Sequence, residues 1–207
     1  MFYSVIRIIV RFLLALINGN SHYLHRDRLP EGSYVLVGPH RTWFDPIYYA
    51  LAGSPKQFSF MAKKELFKNP VIRFILNHAH AFPVDRENPG PSAIKTPVRI
   101  LKNGELSLII FPSGTRHSQE LKGGAAVIAK LAGVPIIPTV YQGPLTFKSL
   151  FSRKPVTVAF GDPIVIDRKL KLDDEGQKII EQQMQSAFDS LDKEINPNFH
   201  YTDITGK

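Results

Sequence analysis

Cysteine is absent from the chain, which excludes a disulfide framework, a zinc–cysteine site and a thiol nucleophile. A reducing cytoplasm is compatible with that absence. Acidic residues are few: 18 Asp and Glu stand against 26 Lys and Arg, for a formal charge of +8 and a pI near 9.7. That balance favours an anionic partner, whether nucleic acid, an anionic membrane surface or a phosphorylated substrate, although a merely basic soluble protein has the same composition. No internal repeat, low-complexity tract or Pro/Gly/Ser-rich linker divides the sequence. Neither G-x-x-x-x-G-K-[ST] nor G-x-S-x-G occurs, so a P-loop nucleotide site and a hydrolase nucleophile elbow have no support. The stretches HAH (78–80) and HYLH (22–25) lack an accompanying carboxylate pattern, and no metal site is expected there.

What is present suits one domain. The 207 residues are 43% hydrophobic and 21% charged, enough apolar material for a core. The first 17, MFYSVIRIIVRFLLALI, are apolar except for Ser4, Arg7 and Arg11. As a helix they would span about 25 Å, short of the roughly 30 Å hydrocarbon core of a bilayer. Arg7 and Arg11 share a face, with Ser4 and Asn18 near the same stripe and Leu14 interrupting it. The segment reads as an interfacial helix whose arginines snorkel to phosphate headgroups, the alternative being a core-packing first helix. No A-x-A cleavage site marks it as a removed signal peptide.

After a polar connector (18–32), strand and helix patterns alternate. Strands are predicted at 33–38, 57–62, 79–84, 105–111, 134–140 and 156–166. Helices are predicted at 46–53, 69–78, 92–104, 123–133 and 173–195. This alternation predicts an α/β fold with a single mixed sheet flanked by helices and an N-terminal membrane-associating helix. Residues 1–32 form the interfacial helix and connector, and 33–207 the catalytic domain.

Four predicted strand ends carry reactive side chains. GPHRTWFDP (38–46) places His40 two residues beyond a strand and Asp45 next to Pro46. Residues five apart on a regular helix point about 140° away from each other. The pair meets only if His40 precedes the helix and the chain turns back. Asp45 as N-cap with Pro46 at N1, or Thr42 as N-cap with Asp45 at N3, both allow that. A carboxylate accepting from Nδ1–H would fix the imidazole tautomer and leave Nε2 to take a proton; the plainer reading is a cap beside a loop histidine. FPSGTRHS (111–118) follows the strongest strand. There Gly114 permits close backbone approach, Ser113 and Thr115 offer hydroxyls, and Arg116 offers a planar fork to a phosphate or carboxylate. Its plain reading is a turn with a solvated arginine. FPVDRENP (82–89) adds Arg86, and MAKKELF (61–67) adds Lys63 and Lys64, as anion contacts or as solvated charges. Together they suggest a base beside a phosphate site.

These blocks, in this order, resemble the 1-acylglycerol-3-phosphate acyltransferase family of glycerolipid acyltransferases. HRTWFD matches its H-x-x-x-x-D motif, FPVDR its Asp-Arg block, and FPSGTR its F-P-x-G-T-R block. VPIIPTV resembles its downstream proline block, and MAKKELF and LKGGAAVIA resemble the intervening segments; the likeness spans roughly residues 33–166. The resemblance implies that His40 is the general base and Asp45 its orienting partner. It implies that Arg116 holds the acceptor phosphate, with Arg86 and Lys63 as weaker contacts, and that Ser113, Gly114 and Thr115 shape the site. It further implies acyl transfer from an acyl carrier protein or coenzyme A thioester to lysophosphatidic acid, giving phosphatidic acid. No metal or resident cofactor is needed, and the enzyme would be peripheral or monotopic on the cytoplasmic face of the membrane. One position departs: the family commonly has glutamate where Ser113 stands, so Ser113 must orient the arginine by weaker hydrogen bonds or another group must substitute. Two rivals are a different acceptor (glycerol-3-phosphate or another lysolipid) and a non-enzymatic basic domain that binds lipid or nucleic acid. No recognised nucleic-acid module supports nucleic acid as a partner.

Overall fold

A computed structural model of the chain describes residues 2–85, 88–113 and 121–201. Its helices are α1 (Phe2–Asn18), α2 (Asp45–Ala52), α3 (Pro70–His78), α4 (Ser92–Lys102), α5 (Gly124–Ala132), α6 (Phe147–Leu150) and α7 (Asp174–Ile195). Its strands are β1 (Ser21–Leu24), β2 (Val35–Val37), β3 (Gln57–Lys63), β4 (Ala81–Val84), β5 (Leu106–Ile110), β6 (Ile136–Gln142) and β7 (Val156–Phe160). The strands form one sheet in the order β1-β7-β6-β2-β5-β3-β4. All neighbours run parallel except β6 and β7. The mixed sheet flanked by helices expected from the sequence is present.

Side chains alternate across this sheet, as the pleat requires. Val35, Val37, Leu108, Ile110, Ile136 and Val140 face one layer, where α4, α5 and α7 supply Leu101, Ile128, Met184 and Phe188. Leu36, Ile109, Ile137 and Tyr141 face the other, against Tyr48, Tyr49 and Ala52 of α2, with Leu14 and Ile17 of α1 packed beside them. The central strands are buried on both faces, which is why their sequences read as unbroken apolar runs.

One local expectation needed tertiary context. Residues 21–24, placed in a connector, form β1 and pair in parallel with β7 from Ser21↔Val156 to Leu24↔Ala159. Four residues with one histidine and one serine carry no strand signal of their own; β7 supplies the ladder. The sheet therefore draws on residues from both sides of position 32. Gly53 ends α2, but with φ −78° rather than in the left-handed conformation that Gly133 adopts at the end of α5, φ +72°.

The polar side chains of α1 reach to backbone carbonyls of the protein, although Arg11 stays exposed. Arg7 Nη1 donates to Pro55 O at 2.8 Å and Arg11 Nη2 to Leu51 O at 3.0 Å. Asn18 Nδ2 donates to Lys154 O at 2.9 Å. Leu51 belongs to the last turn of α2, where orphan carbonyls and the helix dipole favour a cation. Leu14, which interrupts the polar stripe, packs against the core beside α2. The opposite face is apolar and bare: Ile8, Phe12 and Leu16 are 66%, 67% and 63% exposed. Among the described residues no helix is long and apolar enough to cross a membrane.

Candidate active site

Parallel register decides which loops meet. Val37 of β2 lies opposite Ile110 of β5, so the residues just beyond both strands emerge at one sheet edge. Adjacent strands are about 4.8 Å apart. The loop after β5 is thus one strand from His40, the end of β3 about 10 Å away laterally, and the end of β4 about 14 Å. The site is graded by strand order, with the β5 loop nearest the histidine.

Between β2 and His40 the chain passes through a tight contact. A Cβ on Gly38 would lie 2.4 Å from Thr139 O and 2.4 Å from Tyr49 Oη, well inside van der Waals contact. Those two atoms are themselves hydrogen-bonded at 3.1 Å. Only glycine lets the strand leave the sheet here, and Pro39 then directs His40 over its edge.

Neither N-cap register read from the sequence is the one observed. Phe44 is the N-cap, Asp45 the first helical residue, and Pro46 follows within the first turn. The Asp45 side chain turns back instead of capping the helix. Its Oδ2 accepts from Arg41 N at 2.6 Å and Thr42 N at 2.8 Å, and lies 3.1 Å from His40 Nδ1. Three donors on one oxygen of a fully buried carboxylate leave little freedom, while the buried Oδ1 has no hydrogen-bond partner among the described residues. Burial raises the Asp45 pKa, against the opposing pull of the His40 hydrogen bond, the Thr42 amide, the His40 charge and the Arg41 amide. The imidazole stacks on Phe111, with centroids 4.2 Å apart, and Tyr49 stacks on the same ring at 5.8 Å. With Nδ1 committed to Asp45 and the ring clamped by Phe111, Nε2 is the nitrogen left for chemistry.

A cavity of about 310 Å³ opens beside this pair. Pro39, His40, Arg41 and Ser113 form its sheet-edge wall; Gln185, Phe188, Asp189, Asp192 and Lys193 of α7, with Phe199, His200 and Tyr201, form the other. Ser113 is buried and belongs to the cavity. Gly114, Thr115, Arg116 and Arg86 lie outside the described residues. Lys63 ends β3, is not among the cavity-lining residues, and approaches Glu65 at 3.8 Å. Lys64 is ion-paired with Asp85. Among the described residues no group of three His, Cys, Asp or Glu side chains is arranged to hold a metal ion.

Sequence reasoning missed the α7 wall and Arg41. The Arg41 guanidinium, 6% exposed, reaches Tyr141 O at 2.9 Å and grips the Asp192 carboxylate with both terminal nitrogens. Phe199 and Tyr201 rings cover it, at 4.8 and 5.6 Å. Burial opposes its charge, yet the Asp192 hydrogen bonds and charge more than offset that, so the pKa is raised. Nothing local in HRTWFD announces a partner 151 positions away.

A second, almost wholly apolar groove of about 160 Å³ lies between α1, α2 and α3, lined by Tyr3, Ile6, Val10, Leu51, Phe60 and Ile75 among others.

A family model described as Acyltransferase matches residues 20–142. A 1-acyl-sn-glycerol-3-phosphate acyltransferase of Streptococcus pneumoniae is 52% identical over 94% of this chain and 74% of its own length. A protein of the same name from Bacillus subtilis is 44% identical over 75% of this chain and 78% of its own. Among solved structures, the 1-acyl-sn-glycerophosphate acyltransferase PlsC of Thermotoga maritima superposes with a TM-score of 0.70, covering 96% of this chain and 81% of that one. At 18% identity that likeness bears on the fold alone.

Proposed function

Because the chain belongs to the 1-acylglycerol-3-phosphate acyltransferase family, we propose that it transfers a fatty acyl group from an acyl thioester to the free hydroxyl of lysophosphatidic acid, giving phosphatidic acid. The observation that carries the mechanism is the single Asp45 oxygen shared by His40 Nδ1 and two loop amides. It fixes the imidazole with Nε2 as base. Nε2 takes the hydroxyl proton as the oxygen attacks the thioester carbonyl, and Asp45 stabilises the imidazolium. The tetrahedral intermediate collapses with loss of the thiolate, which recovers that proton from His40. The C–O bond formed and the C–S bond broken belong to the two substrates, and the protein carries only the proton between them, so it supplies positioning, proton transfer and charge.

Arg116 is the phosphate anchor in this reading, because its loop leaves β5, the parallel neighbour of the His40 strand. Lys63 ends β3, two strands from that of His40, and already shares its charge with Glu65; it and Arg86, which follows β4 in the sequence, serve at most as outlying contacts. The donor is carried on coenzyme A or on acyl carrier protein. The enzyme lies on the cytoplasmic face of the membrane with the bare face of α1 in the interface; Ile8, Phe12 and Leu16 pointing away from the protein support this placement.

The test is initial-rate acyl transfer by purified chain, with lysophosphatidic acid, glycerol-3-phosphate and other lysolipids offered against both donor types. Transfer to lysophosphatidic acid that is lost in His40→Ala supports the reading. Preference for another acceptor would replace the substrate, and anion binding without any transfer would leave a basic binding domain.

A further inference from the structure

Asp45 presents an unusual invitation. It is a fully buried carboxylate with one oxygen unpartnered among the described residues, and an arginine sits four residues away. The Arg41 amide touches Asp45 Oδ2 at 2.6 Å, and its guanidinium is close enough to Asp45 for the two charges to interact. A bidentate Arg–carboxylate pair is the geometry such groups favour. Arg41 makes that pair with a different partner, Asp192. Asp192 is itself fixed: Gln142 Nε2 of β6 donates to its backbone oxygen at 2.9 Å and to its Oδ1 at 3.0 Å. Tyr141 O takes a further guanidinium proton, and the Phe199 and Tyr201 rings close over the group.

We propose that Asp192 is a positioning residue for acyl transfer: it holds the Arg41 guanidinium away from Asp45, so that the Asp45 carboxylate remains the partner of His40. This rests on His40 acting as base. Without Asp192, Arg41 turns to Asp45, the other buried carboxylate among the described residues. Asp45 is then neutralised by a permanent cation, and the imidazolium loses its counter-charge. A role confined to gluing α7 to the sheet predicts something else: lower stability, but an intact His40–Asp45 pair in every folded molecule. Both Asp192 and the aromatic cover lie beyond residue 142, where the match to the family model ends.

The test compares the parent chain with Asp192→Asn, Asp192→Glu and the double variant Arg41→Met/Asp192→Leu, which removes the competing cation together with its partner. Turnover is read as separate kcat and KM values. The His40 ring is read by ¹⁵N NMR, its signals identified by their absence from His40→Gln. Asp192→Asn is expected to lose about 100-fold in kcat, the scale of a displaced catalytic group, with KM little changed and the Nδ1–H···Asp45 signal lost. Asp192→Glu keeps the signal. The double variant regains the signal and most of the kcat, and if Asp192→Asn does not fold, Asp192→Ser, which also leaves Arg41 without its partner, is read in its place. Parental kcat and ring signals in folded Asp192→Asn, or a folded double variant without the His40–Asp45 signal, overturns the proposal. An inactive parent chain would refute the acyl-transfer reading instead, and the NMR comparison would still decide whether Asp192 guards the pair.

Discussion

Replacing Asp45 with Asn separates what this carboxylate does for stability from what it does for catalysis. The amide oxygen can occupy the Oδ2 position and keep all three donors, His40 Nδ1–H included, so the tautomer survives. What disappears is the charge. Two unit charges about 4 Å apart at an effective dielectric near 20 interact by about 4 kcal/mol, so loss of imidazolium stabilisation is expected to lower kcat by about 10³-fold. Stability responds differently. The new NH₂ group lies where Oδ1 now has no partner, and a buried unmade hydrogen bond costs about 1–3 kcal/mol. Against this, the variant no longer buries an ionised carboxylate. The balance should move Tm by less than about 6 °C in a chain of this size. The sign with pH follows from the raised pKa. Folding favours the protonated acid, so the parent loses stability as pH rises from the ordinary carboxylate value of 3.8 toward the raised folded value. The Asn variant lacks that loss, and the difference in Tm, variant minus parent, should increase between pH 4 and pH 7. Initial rates at saturating substrates and calorimetry at both pH values read the two effects. A variant within tenfold of parental kcat, or a Tm difference that falls with pH, would refute this account of Asp45.

His40→Ala should reduce kcat by about 10²–10⁴-fold, the range for a general base, while circular dichroism and Tm stay near parental. Gly38→Ala drives a methyl into Thr139 O and Tyr49 Oη, so it should lose about 1–3 kcal/mol in chemical denaturation and lower kcat as well, because the displaced backbone carries His40. A parental Tm there would show that the strand end is softer than it looks. Phe12→Glu with Ile8→Lys, both on the bare face of α1, should abolish flotation with anionic vesicles and shift stability by less than about 1 kcal/mol. Retained flotation would move the membrane contact elsewhere.

How legible all this was in the sequence depends on the range of the interactions. The helices and central strands announced themselves because local periodicity and burial agree there. That the strands before His40 and Ser113 end at one sheet edge could be expected from their alternation with helices; that β2 and β5 are neighbours could not. What stayed hidden was non-local. β1 has four residues whose only strand signal is its neighbour β7. Arg41 reads as one more basic residue until Asp192 arrives from the far end of the chain. Arg7 and Arg11 formed the stripe the spacing announces, but spacing does not say which way a stripe faces. Snorkelling outward and docking inward give the same periodicity, and backbone carbonyls at and just beyond the end of α2, those of Leu51 and Pro55, decided for docking.

That docking turns α2 into a strut. Its C-terminal end is pinned to α1 through Arg11, and its first residue is Asp45, the anchor of the histidine. Eight helical residues span about 12 Å, so the base stands off the amphipathic helix by a fixed and short distance. If α1 lies in the interface as proposed, that stand-off carries the histidine just past a headgroup layer roughly 5–8 Å thick. A lysolipid would then react where it resides, its tail still in the leaflet and only its glycerol raised to the histidine, while the water-borne thioester makes the journey.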